Sequence, residues 1–472
     1  MKDQEIDKKE LFERVPAGKA VFTMAIPTII SQLINLLYNM VDTFFIGRTG
    51  NSYMMAAVTV SFPLYMLTIA FSNLFGIGGG SEMARLIGKN RDDRAKKVCA
   101  YAIAGTVVLA AAYAALVGIF ETPLLYLLGA SARTIGFARQ YTNTVVICGS
   151  VPIILSLVLA HLLRNVGYSR QAGFGLSAGG VLNMILDPLF MFVLLPDGME
   201  VFGAAFATLL SNLFSLVYFI VVLARLKNDA PIDFRLRAAQ ETTKEERREL
   251  YAVGIPSSIL TGLFDLANVF LNSLMASHGD LEVAAIGIVM KIERLPNAIN
   301  IGICQGMLPI VAYNFSSGNH DRMEHVIRIT RKAGLIVSVV SMVLFQILAG
   351  PFVGLFLATG GSSAGEAART LAYATMFLRI RCIASPFQFL NYSTSFSMQG
   401  IGDGRDTLIH ASARELLFYI PFMYILNALF GVPGLASALI PGELCGAVLA
   451  QILLGRYLKK HRSAGRNEIP AE

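Results

Sequence analysis

The sequence predicts an all-α integral membrane protein with twelve transmembrane helices in two pseudo-symmetric six-helix bundles. Three observations support this fold class: long apolar segments, basic residues confined to alternate connections, and a partial internal repeat. The chain has 472 residues, of which 54% are hydrophobic and 15% charged, and its mean hydropathy is +0.58. An average soluble domain carries about 25% charged residues, so the composition argues against a large soluble protein.

Twelve apolar segments are each long enough to cross about 30 Å of hydrocarbon as an α-helix. The alternating ten-residue pattern of a membrane β-barrel is absent from the sequence. The predicted spans are 20–47, 53–80, 97–120, 136–163, 172–195, 202–224, 250–276, 283–312, 333–357, 370–397, 407–430 and 434–455.

Lysine and arginine residues are distributed unequally between the two sides of the predicted membrane. Of 39 such residues, 30 fall in the tails and connections of one side and 4 on the opposite side, and the rest lie within spans. Because cytoplasmic loops are enriched in basic residues, we expect a multi-pass protein of the cell membrane with both termini in the cytoplasm. The chain has no Trp, so four tyrosines are expected at the membrane interfaces instead: Tyr38, Tyr53, Tyr126 and Tyr457.

The two halves of the chain partly match each other in sequence. Ala25 aligns with Gly254 at an offset of 229 residues, and Arg225 aligns with Arg456 at an offset of 231. Six spans per half make the repeat parallel, and paired halves of this kind place the substrate path of a transporter at their interface. The predicted parts are an N-terminal cytoplasmic tail, an N-terminal bundle, a cytoplasmic linker, a C-terminal bundle and a C-terminal cytoplasmic tail: 1–19, 20–226, 227–249, 250–457 and 458–472.

The linker contains a candidate helix start. Thr242 and Glu245 have the spacing of a capping box, which predicts that the seventh helix begins in the cytoplasm. A plain solvated linker is the alternative interpretation.

Two carboxylates interrupt the apolar spans of the first half. Asp42 lies in the first span, and Asp187 follows Asn183 by four residues, on the same helical face. A charged side chain in the middle of a membrane costs about 3 kcal/mol on insertion scales, so such residues usually face the bundle interior. Asp42 and Asp187 lie at comparable depth in their spans, and Thr208 of the sixth span can add a hydroxyl. We therefore predict one polar pocket.

Ion binding is the predicted role of this pocket. Burial and mutual repulsion both disfavour two ionised carboxylates. A proton, or a hard cation such as Na⁺ with oxygen ligands, relieves both costs, and its release can bias helix bending at Pro188. The structural alternative is that Asp42 marks an interfacial helix end and Asp187 caps a kink.

Catalytic and nucleotide-binding motifs are missing from the sequence. It contains no P-loop, HExxH or GxSxG motif, and no two cysteines are close enough for a CxxC pair. We therefore predict no enzyme, no cofactor and no protein-bound metal apart from possible Na⁺ coupling, with an ion gradient as the source of energy.

The second half carries a different set of intramembrane charges. They are concentrated in spans eight, ten and eleven: Lys291, Glu293, Arg294, Arg379, Arg381, Arg414 and Glu415. Asp265 lies near the repeat position of Asp42, and Asn268 corresponds to Asn39. Two interpretations stay open, namely ion pairs that hold the bundle together and a path for a charged substrate. Asp265, Asn268 and Arg379 are the candidate polar site of this half.

Three sequence segments resemble the MATE family of multidrug and toxic compound extrusion transporters. They are NMVDTFFIGR at 39–48, LRNVGYSR at 163–170 and VLNMILDPLF at 181–190. The resemblance runs through nearly the whole chain and is strongest to the bacterial MepA and DNA-damage-inducible protein F branches. It implies a V-shaped pair of bundles and a secondary active antiporter that exports organic cations or amphiphilic compounds in exchange for H⁺ or Na⁺.

The resemblance also assigns residues. It implies that Asp42, Asn183 and Asp187, together with Thr208, bind the coupling proton or cation. Asp265 lies near the place of a helix-seven acid that some members use. No counterpart of a helix-ten acid is present, since this chain has Arg379 and Arg381 there.

The expected partners follow from the same resemblance: small-molecule organic cations or drugs and membrane lipids, without nucleic acid, for a protein that acts as a monomer. An alternative is a lipid-linked oligosaccharide flippase of the same wider superfamily. The cationic second half favours this alternative, and the count of twelve spans disfavours it. A membrane enzyme or receptor would need a nucleophile or metal cluster that the sequence does not show.

Overall fold

The computed structural model describes residues 8–226, 228–357 and 364–466, and almost all of them are helical. Each predicted span corresponds to one long helix, which confirms the all-α fold class. In chain order, the helices α1 to α12 are Ala17–Arg48, Ser52–Gly88, Asp92–Leu127, 135–165, Ser169–Leu194, Glu200–Leu226, Lys244–Ala276, Asp280–Ser316, His320–Leu357, 364–401, Gly404–Ser437 and Leu439–Arg466. Two short helices, Lys8–Glu13 and Leu236–Gln240, lie outside this set.

Not every long helix is equally apolar. Within the described ranges, 10 helices are long and apolar enough to cross a membrane, and the bent helix α4 adds an eleventh. The helix α10 completes the twelve and is less apolar because it contains arginines and many hydroxyl side chains. Parts of the two predicted tails, and residue 227 of the predicted linker, lie outside the described residues.

Most helices extend beyond their predicted apolar spans. The helix α9 begins at His320 rather than at 333, and α7 begins at Lys244 rather than at 250. Hydropathy detects only the part of a helix that is suited to hydrocarbon. Charged turns continue these helices past it, because their backbone hydrogen bonds remain satisfied within the helix.

The start of α7 shows that the predicted capping box was wrong by one residue. The hydroxyl of Thr243 accepts from the backbone N–H of Glu246 at 3.4 Å, and the Glu246 carboxylate accepts from the N–H of Thr243 at 2.8 Å. The sequence TTKEE contains the capping spacing twice, so the pattern alone does not fix the register. Thr242 has another role, because its hydroxyl donates to the carbonyl of Lys97 at 3.1 Å.

Three of the described helices contain a π-helical turn. The helix α4 contains a π-helical turn at Thr142–Cys148 and bends by 50° beside it. The helix α5 ends in a π-helical turn at Phe190–Leu194, directly after Pro188, and α11 has one at Ala413–Tyr419. Proline removes a backbone donor, and π-helical turns are frequent at functional sites.

Two helix seams join the halves. We call the helix ends connected by residues 88–92, 165–169 and 316–320 the basic face, and the opposite ends the far face. The first seam packs α1 against α8, where a methyl group on Gly306 would lie 2.7 Å from the Cα of Ala25. The second packs α2 against α7, where a methyl on Gly78 would lie 2.9 Å from the Cα of Gly254. Both seams lie in the part of the bundle nearer the basic face.

The seams are repeats of each other. Gly306 follows Gly78 by 228 residues, and Gly254 follows Ala25 by 229. The small residues of the internal repeat therefore stand where the two halves approach most closely, and they allow backbone contact between helices.

The short helix Lys8–Glu13 adds contacts across the basic face. Lys9 lies 3.4 Å from Asp92 of the N-terminal half. Arg322 of the C-terminal half donates to the carbonyl of Phe12 at 2.7 Å, and the Phe12 side chain is buried. Together with the ion pair between Arg94 and Glu246, at 2.7 Å, these contacts close the basic face in this conformation.

Candidate functional site

Two cavities lie between the halves. The larger, which we call the far-face cavity, has a volume of about 840 Å³ and reaches the helix ends at Arg48 and Met55. The smaller, the central cavity, has a volume of about 300 Å³ and extends to His161 and Gln305. The far-face cavity is large enough for a drug-sized molecule, since ligand pockets usually enclose about 300–1,000 Å³.

A pair of tyrosines stands between the two cavities. Tyr38 of α1 and Tyr65 of α2 line both cavities, and their hydroxyl oxygens are 3.1 Å apart. The expectation that Tyr38 marks a membrane interface was wrong, because this side chain lies inside the bundle. Its sequence position offered a signal, since Tyr38 precedes Asp42 by four residues and so shares its helical face.

The carboxylate site is built on α5 and α6. The amide nitrogen of Asn183 donates to the Asp187 carboxylate at 3.3 Å and to the hydroxyl of Thr208 at 3.4 Å. Asp187 is fully buried, and Asn183 is 2% exposed. One helical turn separates Asn183 from Asp187, so the sequence spacing itself produces the contact.

Asp42 lies beside this group, on α1, and its side chain forms part of the wall of the far-face cavity. Asp42 and Asp187 are close enough to interact electrostatically, and both also act on Tyr38 and Tyr141. Within the described residues, neither carboxylate forms an ion pair with a basic side chain. Basic side chains line other parts of the cavity wall, but none of the described ones directly contacts either carboxylate.

Three oxygen atoms of this site are buried without a hydrogen-bond partner among the described residues. They belong to Asp42, Asn183 and Asp187. A buried acceptor without a partner costs about 1–3 kcal/mol, and carboxylate, amide and hydroxyl oxygens are the ligands that hard cations take. The donor set therefore fits a proton or a hard monovalent cation. The described residues contain no group of three His, Cys, Asp or Glu side chains that could hold a metal ion.

The structure brings the four residues predicted in the N-terminal half into one region. Hydrogen bonds join Asn183, Asp187 and Thr208, and Asp42 lies next to them at the cavity wall. We refer to these four residues as the carboxylate site.

The candidate residues of the C-terminal half are more dispersed. Asp265 is half-buried on α7 within electrostatic reach of Arg294, and Asn268 lies one turn further along the same helix. Arg379 is exposed on α10, where it lines a separate pocket with Leu371 and Met376. The described contacts do not connect Arg379 with Asp265.

Buried ion pairs account for other charges of this half. Arg381 donates two hydrogen bonds of 2.9 Å to the carboxylate of Glu293. Arg414 donates to Glu443 at 2.6 and 3.0 Å and lies 3.5 Å from Glu415. Bidentate arginine–carboxylate pairs are among the strongest polar contacts in proteins. The structure thus favours the ion-pair interpretation for these residues.

Glu443 was absent from the predicted site residues. It is the only acid in the apolar segment 434–455. An acid alone in an apolar segment was the signal by which the sequence could have identified it. Its partner Arg414 lies on a different helix, and sequence spacing does not reveal such a contact.

Comparisons with known proteins agree with this arrangement. The family model MatE matches residues 27–189 and 256–425, two blocks that begin 229 residues apart. The multidrug export proteins MepA of Staphylococcus saprophyticus and Staphylococcus aureus are 29% and 28% identical to the chain, and each alignment covers 98% of both proteins. A solved structure described as the outward-facing conformation of a multidrug resistance MATE family transporter has a TM-score of 0.88 at 24% identity, covering 96% of this chain and 98% of that one.

Proposed function

The chain belongs to the MATE family, and on this premise we propose that it is a secondary active multidrug efflux antiporter of the cell membrane. It exports organic cations or amphiphilic compounds in exchange for H⁺ or Na⁺, without a cofactor and without enzymatic activity. The observation that supports this most directly is the pair Asp42 and Asp187, two carboxylates without a basic partner beside a drug-sized cavity. The name of the MepA relatives, multidrug export proteins, suggests the class of substrate.

Exchange follows from competition for negative charge. When both carboxylates are ionised and neither directly contacts a basic side chain, a proton or Na⁺ stabilises the site. A cationic substrate in the far-face cavity reaches Asp42 and supplies the same positive charge. Ion and substrate therefore disfavour each other's binding, which is the requirement for antiport, because coupling between two ligands is reciprocal.

The conformation supports the proposal, because one side of the bundle is closed and the other is open. The basic face corresponds to the cytoplasm by the distribution of lysine and arginine, and the seams are closed there. The far-face cavity then faces the outside, as in an outward-facing state. The π-helical turn after Pro188 is a place where α5 can bend when the ion at Asp187 is gained or lost.

Transport assays in liposomes test this proposal. The purified protein is reconstituted as a monomer with a fluorescent organic cation, and a pH gradient and a Na⁺ gradient are imposed in separate experiments. We expect dye movement under one gradient and none in protein-free liposomes. Correctly folded protein that moves no dye under either gradient would refute the antiporter proposal.

The basic side chains of the far-face cavity favour a second candidate, the lipid-linked oligosaccharide flippase. Arg48, Lys291 and Arg294 line this cavity with Asp42, and such a wall suits the pyrophosphate of a lipid carrier. A thermal-stabilisation screen separates the candidates, because a flippase is stabilised by lipid pyrophosphates and not by cationic dyes.

A further inference from the structure

The far-face cavity has walls of opposite charge. The N-terminal half contributes Asp42, and the C-terminal half contributes Lys291 and Arg294 of α8. Arg48 adds a further positive charge at the far-face rim, so three basic side chains and one acid line the cavity. For a substrate that carries only positive charge, these walls are repulsive in sum.

The wall that α8 contributes to the cavity is positive because its basic side chains face the cavity and its nearby acid does not. Lys291 and Arg294 are three residues apart and share one helical face, where both side chains are exposed to the cavity. Glu293 points away from that face and forms the bidentate pair with Arg381 of α10. The nearest acid in sequence is thus already neutralised elsewhere.

Lys291 and Arg294 have little counter-charge of their own. Within the described part of the chain, neither forms an ion pair, whereas Arg381 and Arg414 do. Asp265 interacts electrostatically with Arg294 without forming an ion pair with it. Two cations on one face of a helix, neither in direct contact with a described acid, can bind an anionic group.

We propose that Lys291 and Arg294 form an anion-binding subsite, which makes this cavity prefer zwitterionic amphiphiles over purely cationic ones of the same shape. In such a substrate an ammonium group contacts Asp42, and a carboxylate on the other side of the molecule contacts the α8 pair. The remaining lining is largely apolar and includes Met40, Phe44, Met55 and Phe62, which suits an aromatic body between the two charges. This inference rests on the proposed function and specifies its substrate class.

The test compares two dyes that differ in one group. Rhodamine B has a free carboxylate, and its ethyl ester is a cation with the same ring system. Fluorescence anisotropy gives the Kd of each dye for the purified wild-type protein and for the double variant Lys291→Gln/Arg294→Gln. Because a partly solvated charge pair contributes up to about fivefold in affinity, we expect wild type to bind rhodamine B about fivefold more tightly than the ester.

In the double variant this ratio should fall to about one, because rhodamine B is bound more weakly while the ester is not. The variant Lys291→Arg keeps the positive charge and should retain the preference for rhodamine B. The matched control is Arg369→Gln, which removes an exposed cation of the far face outside the cavity. It should not change the preference. The preference should also decrease as salt rises, since solvated charges are screened.

The outcomes separate this inference from the proposed function. If wild type binds both dyes but does not prefer rhodamine B, or if the double variant keeps the preference, the anion subsite is refuted and the antiporter proposal stands. If wild type binds neither dye, the proposed function and the subsite fail together.

Discussion

The two halves share one fold, and the intramembrane acids that the sequence analysis and the structure single out differ in their partners. In the N-terminal half, Asp42 and Asp187 lie inside the bundle without a basic partner. In the C-terminal half, the buried acids Glu415 and Glu443 surround Arg414, and Glu293 holds Arg381. A buried charge without a partner is a charge that a mobile ion can neutralise, whereas a paired charge is fixed. On the proposed function, ion exchange takes place at the acids of the first half, whereas the paired acids of the second half hold helices together.

We expect the largest effect, a loss of stability, from a variant that breaks a buried ion pair of the second half. Arg414→Gln leaves Glu443 buried without its partner, and breaking a buried pair from one side costs about 3–5 kcal/mol. We expect a much lower melting temperature in detergent. The double variant Arg414→Gln/Glu443→Gln should recover part of the loss, and Asp42→Asn should melt no lower than wild type. Equal destabilisation by Asp42→Asn and Arg414→Gln would remove the contrast between the halves.

A second variant removes the buried exchangeable charge while preserving shape. Asp187→Asn should reduce gradient-driven dye transport by about 100-fold, the upper range of coupling between two ligands, because the site then keeps only one of its two carboxylates, Asp42. Flux into liposomes at equal protein content is the measurement. The control is Asp93→Asn. The Asp93 side chain is 92% exposed and its ion pair with Lys96, at 3.6 Å, lies at the surface. Dye flux in this variant should match wild type.

A third variant addresses the seams that join the halves. Gly306→Val would force a side chain against α1, and overpacking of this kind costs about 1–3 kcal/mol. The conformation with a closed basic face should become less populated. Pulsed electron paramagnetic resonance would detect this change as longer distances between spin labels on the basic-face ends of α2 and α8. Gly262→Val is the matched control, because a methyl there meets no atom within 4 Å. Unchanged distances in Gly306→Val would mean that the seam does not hold this conformation.

The smallest expected effect sharpens the assignment within the carboxylate site. Thr208→Val removes the hydroxyl that accepts from Asn183 and keeps the side-chain volume. A hydrogen bond contributes about 1 kcal/mol, and this one is long, so we expect the ion concentration for half-maximal transport to rise about threefold. Thr208→Ser should restore the wild-type value. A variant Thr208→Val with wild-type ion dependence would exclude the hydroxyl from the site.

The sequence predicted the fold and identified the acids that the structure brings together, whereas their role in ion binding stays a prediction. Apolar segments and basic connections are local properties, so all twelve spans could be located. Asp42 and Asp187 were identifiable because an acid is rare in an apolar helix, and the contact between Asn183 and Asp187 lies within one turn.

The remaining features depend on contacts between distant segments. The pairing of Tyr38 with Tyr65 and of Arg414 with Glu443 joins different helices, which no spacing rule encodes. The sequence does not show that Lys291 and Arg294 lack the nearby acid Glu293 as a partner, because Glu293 pairs with Arg381 of another helix. The start of α7 was misplaced because the sequence offers two equivalent caps.

We infer that the unpaired acids of the N-terminal half bind the coupling ion. The test follows ion exchange in the purified protein. A pH indicator in weakly buffered solution records proton release when the dye binds. In a second measurement, the Kd of the dye is determined with and without Na⁺. We expect wild type to release protons or to lose dye affinity in Na⁺, and the double variant Asp42→Asn/Asp187→Asn to bind dye without either response. An ion response that is unchanged in this double variant would contradict the account and place the coupling site elsewhere in the protein.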